Sequence, residues 1–475
     1  MGPDLEVVDL PAVHQAQLVR TGEITAVQLV RAHLDAIDEL NPAINAIVTL
    51  DRDGALGRAA AADAVPADRR GPLHGLPVAI KDTAQTAGMR TTFGHPLFAE
   101  NIPAVNDPHV DRILQAGAVL IGKTNVPEFA AGSHTFNRVF GPTRNPYDVT
   151  RSVGGSSGGA AAALAARLIP IADGSDMGGS LRNPASFCGV VGMRPTPGLV
   201  PSSADSDTFS PLATNGPLGR TVADVALLLS VIATAPSSDM YDAQLNTADL
   251  RSLRPAELRG LRVAYTPDLG GRVPVDPEVA DVIASVASVL DRAGARVDHA
   301  CPDLDGADAA FRTLRAADFD ASWRDLLAAN PDGFVDFLAE NIRAGASVSG
   351  RDVMTAYAEL TRLRQSAARF FDDYDLILAP VAQIPAFPVE WTWPRSVNDT
   401  PMDNYLDWMR SAWLFTPLGI PAMSLPAGFT PKGLPVGAHL LAGPGRDLTL
   451  LRVASALESA LDLPAANPLR RRAAQ

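Results

Sequence analysis

Two glycine-flanked serine clusters constrain this chain more than any other stretch: Gly154-Gly155-Ser156-Ser157-Gly158-Gly159, then Gly174-Ser175-Asp176-Met177-Gly178-Gly179-Ser180-Leu181-Arg182. Ser156 and Ser180 lie 24 residues apart, within one strand-turn-helix neighbourhood. Glycine lets a backbone turn sharply and approach a ligand, and successive N–H groups in such a turn can converge on a developing oxyanion. Two hydroxyls beside a row of unobstructed N–H groups are equipment for acyl transfer.

The flanking patterns alternate strand and helix. Residues 9–40 predict two helices; Thr25-Ala26-Val27-Gln28 is a capping box, and Asn41-Pro42 is expected to stop the second helix. An Ala-rich helix is predicted over about 54–64. The apolar run Leu76-Pro77-Val78-Ala79-Ile80 predicts a buried strand that delivers Lys81-Asp82 at its end. A helix over 108–116, a strand over 117–122 and a loop over 125–158 lead into the alanine helix 159–166; a strand Leu168–Ala172 is then expected to end at Asp173-Gly174. Beyond it come a helix from Arg220, a βαβ unit over 261–298, helices over 306–370 and a strand over 374–380. Strands alternating with turns over 411–443, a closing helix at about 447–461 and a solvated tail Arg470-Arg471-Arg472 complete the chain. The clusters thus fall on turns at element ends, where α/β proteins place ligand sites.

Length and composition narrow the class. The 475 residues suffice for about three average domains or one large α/β unit. With 53 acidic against 40 basic residues, the net charge of −13 opposes phosphate backbones and anionic membranes. Nucleic acid and membrane are therefore not expected partners. Only Cys188 and Cys301 are present, so no disulfide framework is expected and both are read as small buried apolar residues. The stretch Met1–Glu6 has no signal-peptide character, and no apolar run reaches the roughly 18 residues of a membrane span, which gives a cytoplasmic expectation. No His, Asp, Glu and Cys set has metal-ligand spacing, so neither metal nor cofactor is expected.

A serine hydroxyl needs a base within hydrogen-bond reach. No Gly-x-Ser-x-Gly elbow precedes an Asp and His in the right order, and no Gly-Lys-Ser/Thr follows the glycines to make a phosphate loop. Lys81 is the better base. Acting as a neutral amine near pH 7.5 requires a downward shift of about three pKa units, roughly 4 kcal/mol, which burial can supply. Lys123 is read as a structural ion-pair residue, and His74 as loop packing.

These motifs resemble the amidase signature family, serine hydrolases with a Ser, cis-Ser, Lys triad. Gly-Leu-Pro-Val-Ala-Ile-Lys81-Asp is similar to its lysine strand, Gly-Gly-Ser156-Ser157-Gly-Gly to its cis-serine loop and Gly-Ser-Asp-Met-Gly-Gly-Ser180-Leu-Arg to its nucleophile loop. Further similarity runs through Ile121–Glu128, Gly192–Thr196, Gly216–Thr221, Gly419–Met423 and Leu434–Gly437. The resemblance implies an α/β fold with a large mixed twisted sheet covered by helices on both faces. It further implies N-terminal helices over 1–70, a catalytic core from 71–230 and 371–465, and a mainly helical variable region over 231–370 within the same domain. Ser180 would be the nucleophile, Ser156 the proton bridge and Lys81 the base. The N–H groups of Met177, Gly178, Gly179 and Ser180 would form the oxyanion hole, with Ser157, Asp176 and Arg182 supporting the loops and Ala130 lining the substrate channel.

Mild departures bear on substrate detail: Met177 stands where Thr or Ile is frequent, His439 where Gln is common and Thr416 where Asn is common. Trp391, Trp393, Trp408 and Trp413 fall within 23 residues, packing the core or an interface, or walling an apolar pocket through Trp408 and Trp413. The expectation is an amidohydrolase of small, largely apolar amides, with anilides, oligoamides, carbamates (urethanes) and esters all accessible to a seryl acyl-enzyme. Its partners would be that substrate and water, with a homodimer as the default assembly. The alternative is the glutamine-hydrolysing subunit of a tRNA-dependent amidotransferase.

Overall fold

The computed structural model describes residues 7–201, 210–233, 245–464 and 467–473, so the Met1–Glu6 stretch lies outside the described residues. Its centre is an eight-stranded mixed sheet. In spatial order the strands are Arg296–His299, Arg262–Tyr265, Leu376–Pro380, Pro435–Leu441, Ala422–Phe429, Val191–Arg194, Thr214–Gly219 and Ile171–Asp176. The first three run parallel and the remaining pairings are antiparallel.

Alternate strand residues feed two different cores, the period-two signature of a sheet covered on both faces. Val263, Tyr265, Leu376, Leu378, Met423 and Leu440 pack with the helices Val222–Ile232, Pro277–Arg292 and Asp447–Leu461. Their neighbours Ala264, Ile377, Ala379, Ala422 and Leu441 face the second core, built on Ala307–Ala329, Gly350–Asp373 and the 402–420 segment. A smaller sheet carries Ile47–Leu50, Val119–Thr124 and Pro77–Lys81 in that order, the last two parallel. All five residues of Pro77–Lys81 are buried, as its apolar run predicts.

Several boundaries differ from expectation for identifiable reasons. The second helix runs through Pro42 to Ile44, with the proline in its last turn and Asn41 holding the chain just beyond its end. The Asn41 Oδ1 accepts the N–H groups of Ala46 and Ile47 at 2.9 Å each. The predicted capping box is present, with Thr25 and Gln28 exchanging both bonds. The strand expected to end at Asp173-Gly174 instead spans Ile171–Asp176, because its whole length pairs with Thr214–Gly219. The 125–158 loop contains a small hairpin, Arg144–Asn145 with Asp148–Ser152. Residues 407–418 form helical turns, although short strands alternating with turns were expected from 411 onward, and Pro417 lies in the first turn of the last of them. Arg470 is not simply solvated: it lies half-buried within 3.8 Å of Asp9 and 3.5 Å of Glu39. Cys188 is buried and Cys301 partly so, both free. Among the described residues no helix is long and apolar enough to cross a membrane, and no group of three potential ligands could hold a metal ion.

Candidate active site

The smaller sheet delivers Lys81 to the edge of the larger one. Its backbone N–H donates to Asp173 Oδ1 at 2.9 Å, while its Nζ lies 2.9 Å from each of three hydroxyls, those of Ser156, Ser157 and Ser175. Lys81 is 1% exposed, and burial pulls its ammonium down to about 7, against the opposing charges of Asp173 and Asp176. Ser175 escaped the sequence reading, because the strand was expected to end at Asp173-Gly174 and only its pairing with Thr214–Gly219 carries Ser175 to Lys81.

Ser156 follows a cis peptide bond from Gly155, and Ser157 leads into the helix Gly158–Ala165. This helix approaches its neighbours so closely that a Cβ on Gly159 would lie 2.2 Å from the Asn125 nitrogen. Ser157 N–H donates to the Ser180 carbonyl at 3.1 Å, tying the two serine clusters together. Ser156 and Ser180 line one cavity of about 550 Å³, with Lys81, Ser175, Asp176, Met177 and Ala130.

The turn bearing Ser180 is fixed by a buried carboxylate. Asp176 accepts N–H groups from Gly179 (2.8 Å) and Leu181 (3.1 Å) and a bidentate pair from Arg182 (2.9 and 2.8 Å). Both partners are fully buried, with Arg194 close by. Burial works against the Asp176 charge, yet Arg182, Arg194 and the Gly179 N–H hold its carboxyl well below the usual carboxylate range. Gly179 adopts φ +108°, and a Cβ there would lie 2.7 Å from both Ala412 Cβ and Asn183 Nδ2, so the turn requires glycine. The Gly179 N–H is already taken by Asp176, which sets it apart from the other three donors expected for an oxyanion. Met177, Gly178 and Ser180 N–H groups donate to no acceptor among the described residues.

The departures at 416 and 439 sit behind this turn instead of lining the cavity. Thr416 Oγ1 donates to the Met177 carbonyl at 3.0 Å. His439 Nε2 lies 2.9 Å from an Arg182 nitrogen that can only donate; burial and that guanidinium hold the imidazole well below its ordinary pKa, so it is the neutral acceptor.

Trp408 and Trp413 are fully buried in the second core and do not line the cavity, which corrects their expected role as a substrate wall. Trp408 Nε1 donates to Ser133 Oγ at 2.9 Å, and Trp413 stacks on Phe311 at 4.5 Å. The aromatic wall is Phe93, Phe98, Phe129, Phe319 and Trp323, with Phe129 and Trp323 rings 4.1 Å apart. These residues are too dispersed along the chain for local patterning to unite them. The same cavity is also lined by Gln85, Asp107, His109, Asp173 and Asn215. Lys123 is held by neutral acceptors instead of the expected ion pair: the Ala84 carbonyl (2.6 Å) and the Thr86 and Thr91 hydroxyls (2.7 and 3.0 Å). His74 is buried where the 71–75 turn meets Gly117, as loop packing.

The sequence and the fold are similar to those of known proteins. Residues 28–451 match the family described as Amidase. An acylamidase of Rhodococcus erythropolis is 35% identical over 457 residues, covering 95% of each chain. A glutamyl-tRNA(Gln) amidotransferase subunit of Acidothermus cellulolyticus is 36% identical over 489 residues, covering 96% of this chain and 95% of its own. Among solved structures, a bacterial aryl acylamidase of the amidase signature enzymes superposes with a TM-score of 0.89 at 28% identity, covering 97% of this chain and 98% of that one.

Proposed function

The chain belongs to the amidase family, hydrolases of amide C–N bonds, and from that premise we propose that it cleaves small, uncharged, largely apolar amides through an acyl-enzyme on Ser180. The observation that carries the reading is the buried Lys81 amine, with a pKa drawn to about 7, bonded to Ser156 at the wall of the cavity that Ser180 also lines. A base with a pKa near the working pH is half deprotonated yet strong enough to accept a serine proton.

In this reading Ser180 Oγ attacks the carbonyl carbon while its proton passes through Ser156 to Lys81. The oxyanion takes N–H bonds from Met177, Gly178 and Ser180, each useful donor contributing about 3 to 4 kcal/mol in such sites. The C–N bond then breaks as the proton returns through Ser156 to the leaving nitrogen, and water releases the acid by the same route. The three hydroxyls around Nζ suit both lysine states: an ammonium donates to all three, and a neutral amine donates to two and accepts from the third. Ser157, Asp176 and Arg182 support the two loops.

The amidotransferase relative supplies the second reading, hydrolysis of glutamine. Glutamine carries an α-carboxylate beside its α-ammonium, whereas the described cavity lining contains no arginine and no lysine besides Lys81 to balance that carboxylate. That balance favours an uncharged substrate. The 231–370 region is proposed as an insert of the same domain, since Phe319 and Trp323 within it line the cavity. A cytoplasmic setting suits the two free cysteines.

A hydrolysis panel of anilides, linear and cyclic oligoamides, carbamates, esters and glutamine tests the reading. At least one neutral class is expected to exceed glutamine in kcat/KM by about 100-fold or more; glutamine turnover above every neutral amide would instead support the amidotransferase role. Within the panel, Trp323→Ala is expected to raise KM for anilides about tenfold relative to alkyl amides. Trp408→Phe should leave that ratio within about twofold, because the indole packs in the core.

A further inference from the structure

We propose that His109 and Asp173 form a positioning pair for Lys81: the carboxylate fixes the lysine backbone and, of the two carboxylates acting on the amine, is the one no arginine neutralises. The inference rests on Lys81 being the base. Asp173 is 1% exposed on the strand Ile171–Asp176; its Oδ1 accepts the Lys81 N–H at 2.9 Å and its Oδ2 lies 3.2 Å from His109 Nε2. His109 is 2% exposed in the helix Pro108–Gln115. Its Nδ1 lies 3.5 Å from Asn215 Nδ2, an amide nitrogen that can only donate. A neutral imidazole therefore carries its hydrogen on Nε2, aimed at Asp173.

The surrounding charges make the role specific. Asp176 is locked to Arg182 with Arg194 nearby, and these two cations oppose its field. Asp107 at the start of the His109 helix and Lys123 on the neighbouring strand face the same buried region. Burial opposes the Asp173 charge, but the His109 hydrogen bond, the Lys81 N–H and Lys123 keep its carboxyl below the usual range. An anion so placed favours the protonated lysine and opposes the burial that would otherwise leave Lys81 too weak a base.

The test is the pH dependence of Ser180 inactivation by a fluorophosphonate, which reads nucleophile activation whatever the natural substrate. Phosphorus bonds to Ser180 Oγ, fluoride leaves and the serine proton goes to the lysine. In the wild type the rate should rise with pH to a plateau, half-maximal near 7. Asp173→Asn keeps an oxygen for the Lys81 N–H but removes the charge; its midpoint is expected to fall by about half a pH unit or more, with a plateau several-fold lower. His109→Leu should move the midpoint the same way, because a buried carboxyl without its donor favours protonation, and His109→Gln should recover most of the lost rate. If Asp173→Asn does not fold, the His109 pair decides. Folded Asp173→Asn or His109→Leu protein with an unmoved midpoint and only lower stability would overturn the positioning role alone. Failure of the intact wild type to label at Ser180 at any pH would overturn the underlying assignment as well.

Discussion

Lys81→Met is expected to lower kcat/KM for a neutral amide by about 10⁴-fold, roughly 5 kcal/mol of transition-state stabilisation, while leaving KM within a fewfold. The methionine fills the lysine volume but can neither take nor return a proton, so Ser180 is left as a weak nucleophile. In the wild type, activity should rise with pH through about 7 and level off above it, because the neutral amine is the working form. Stability has its own sign. Between about 7 and 10.5 the unfolded lysine keeps its proton while the folded one has released it, so the unfolded state binds more protons and stability rises with pH. Wild-type stability measured against Lys81→Met should therefore increase across that window. Denaturant titrations at pH 6, 8 and 10 with steady-state kinetics check both signs; retention of most activity would return the search to a histidine base.

The second large effect is expected at Arg182. Arg182→Met leaves Asp176 as a buried carboxylate with Arg194 as its remaining cation, and breaking a buried pair from one side costs about 3 to 5 kcal/mol. The loss should appear as a lower denaturation midpoint at unchanged slope. Activity should fall in the same variant, since the Gly179 and Leu181 N–H bonds that shape the Ser180 turn depend on that charge. The sign with pH follows from the lowered Asp176 value: its contribution is fully present above the unfolded carboxyl pKa of about 4 and is lost as pH falls below it. Normal stability with normal turnover in Arg182→Met would show the pair to be dispensable.

The parts legible in the sequence are those written locally. The apolar run ending in Lys81 became a wholly buried strand, and Thr25 with Gln28 became a capping box. The helix pattern at 447–461 matches Asp447–Leu461. Long-range pairing was not legible. Ile171–Asp176 extends past Gly174 only because Thr214–Gly219 runs beside it, and the Trp391–Trp413 cluster gave no sign of the face it would bury. The aromatic wall joins residues as distant as Phe93 and Trp323, so only the packed chain reveals it. The Asp176 claim on Gly179 was likewise invisible, since both carboxylate and oxyanion would compete for the same kind of N–H.

The central claim, a covalent acyl intermediate on Ser180, is tested most directly by acid-quenching the enzyme during turnover of a slow carbamate or activated anilide and fragmenting its tryptic peptides. Residues 168–182 form one such peptide and contain both Ser175 and Ser180. The expected result is the acyl mass on Ser180, absent from Ser180→Ala. An adduct on Ser175 or on another residue, or turnover by Ser180→Ala equal to the wild type, would contradict the assignment.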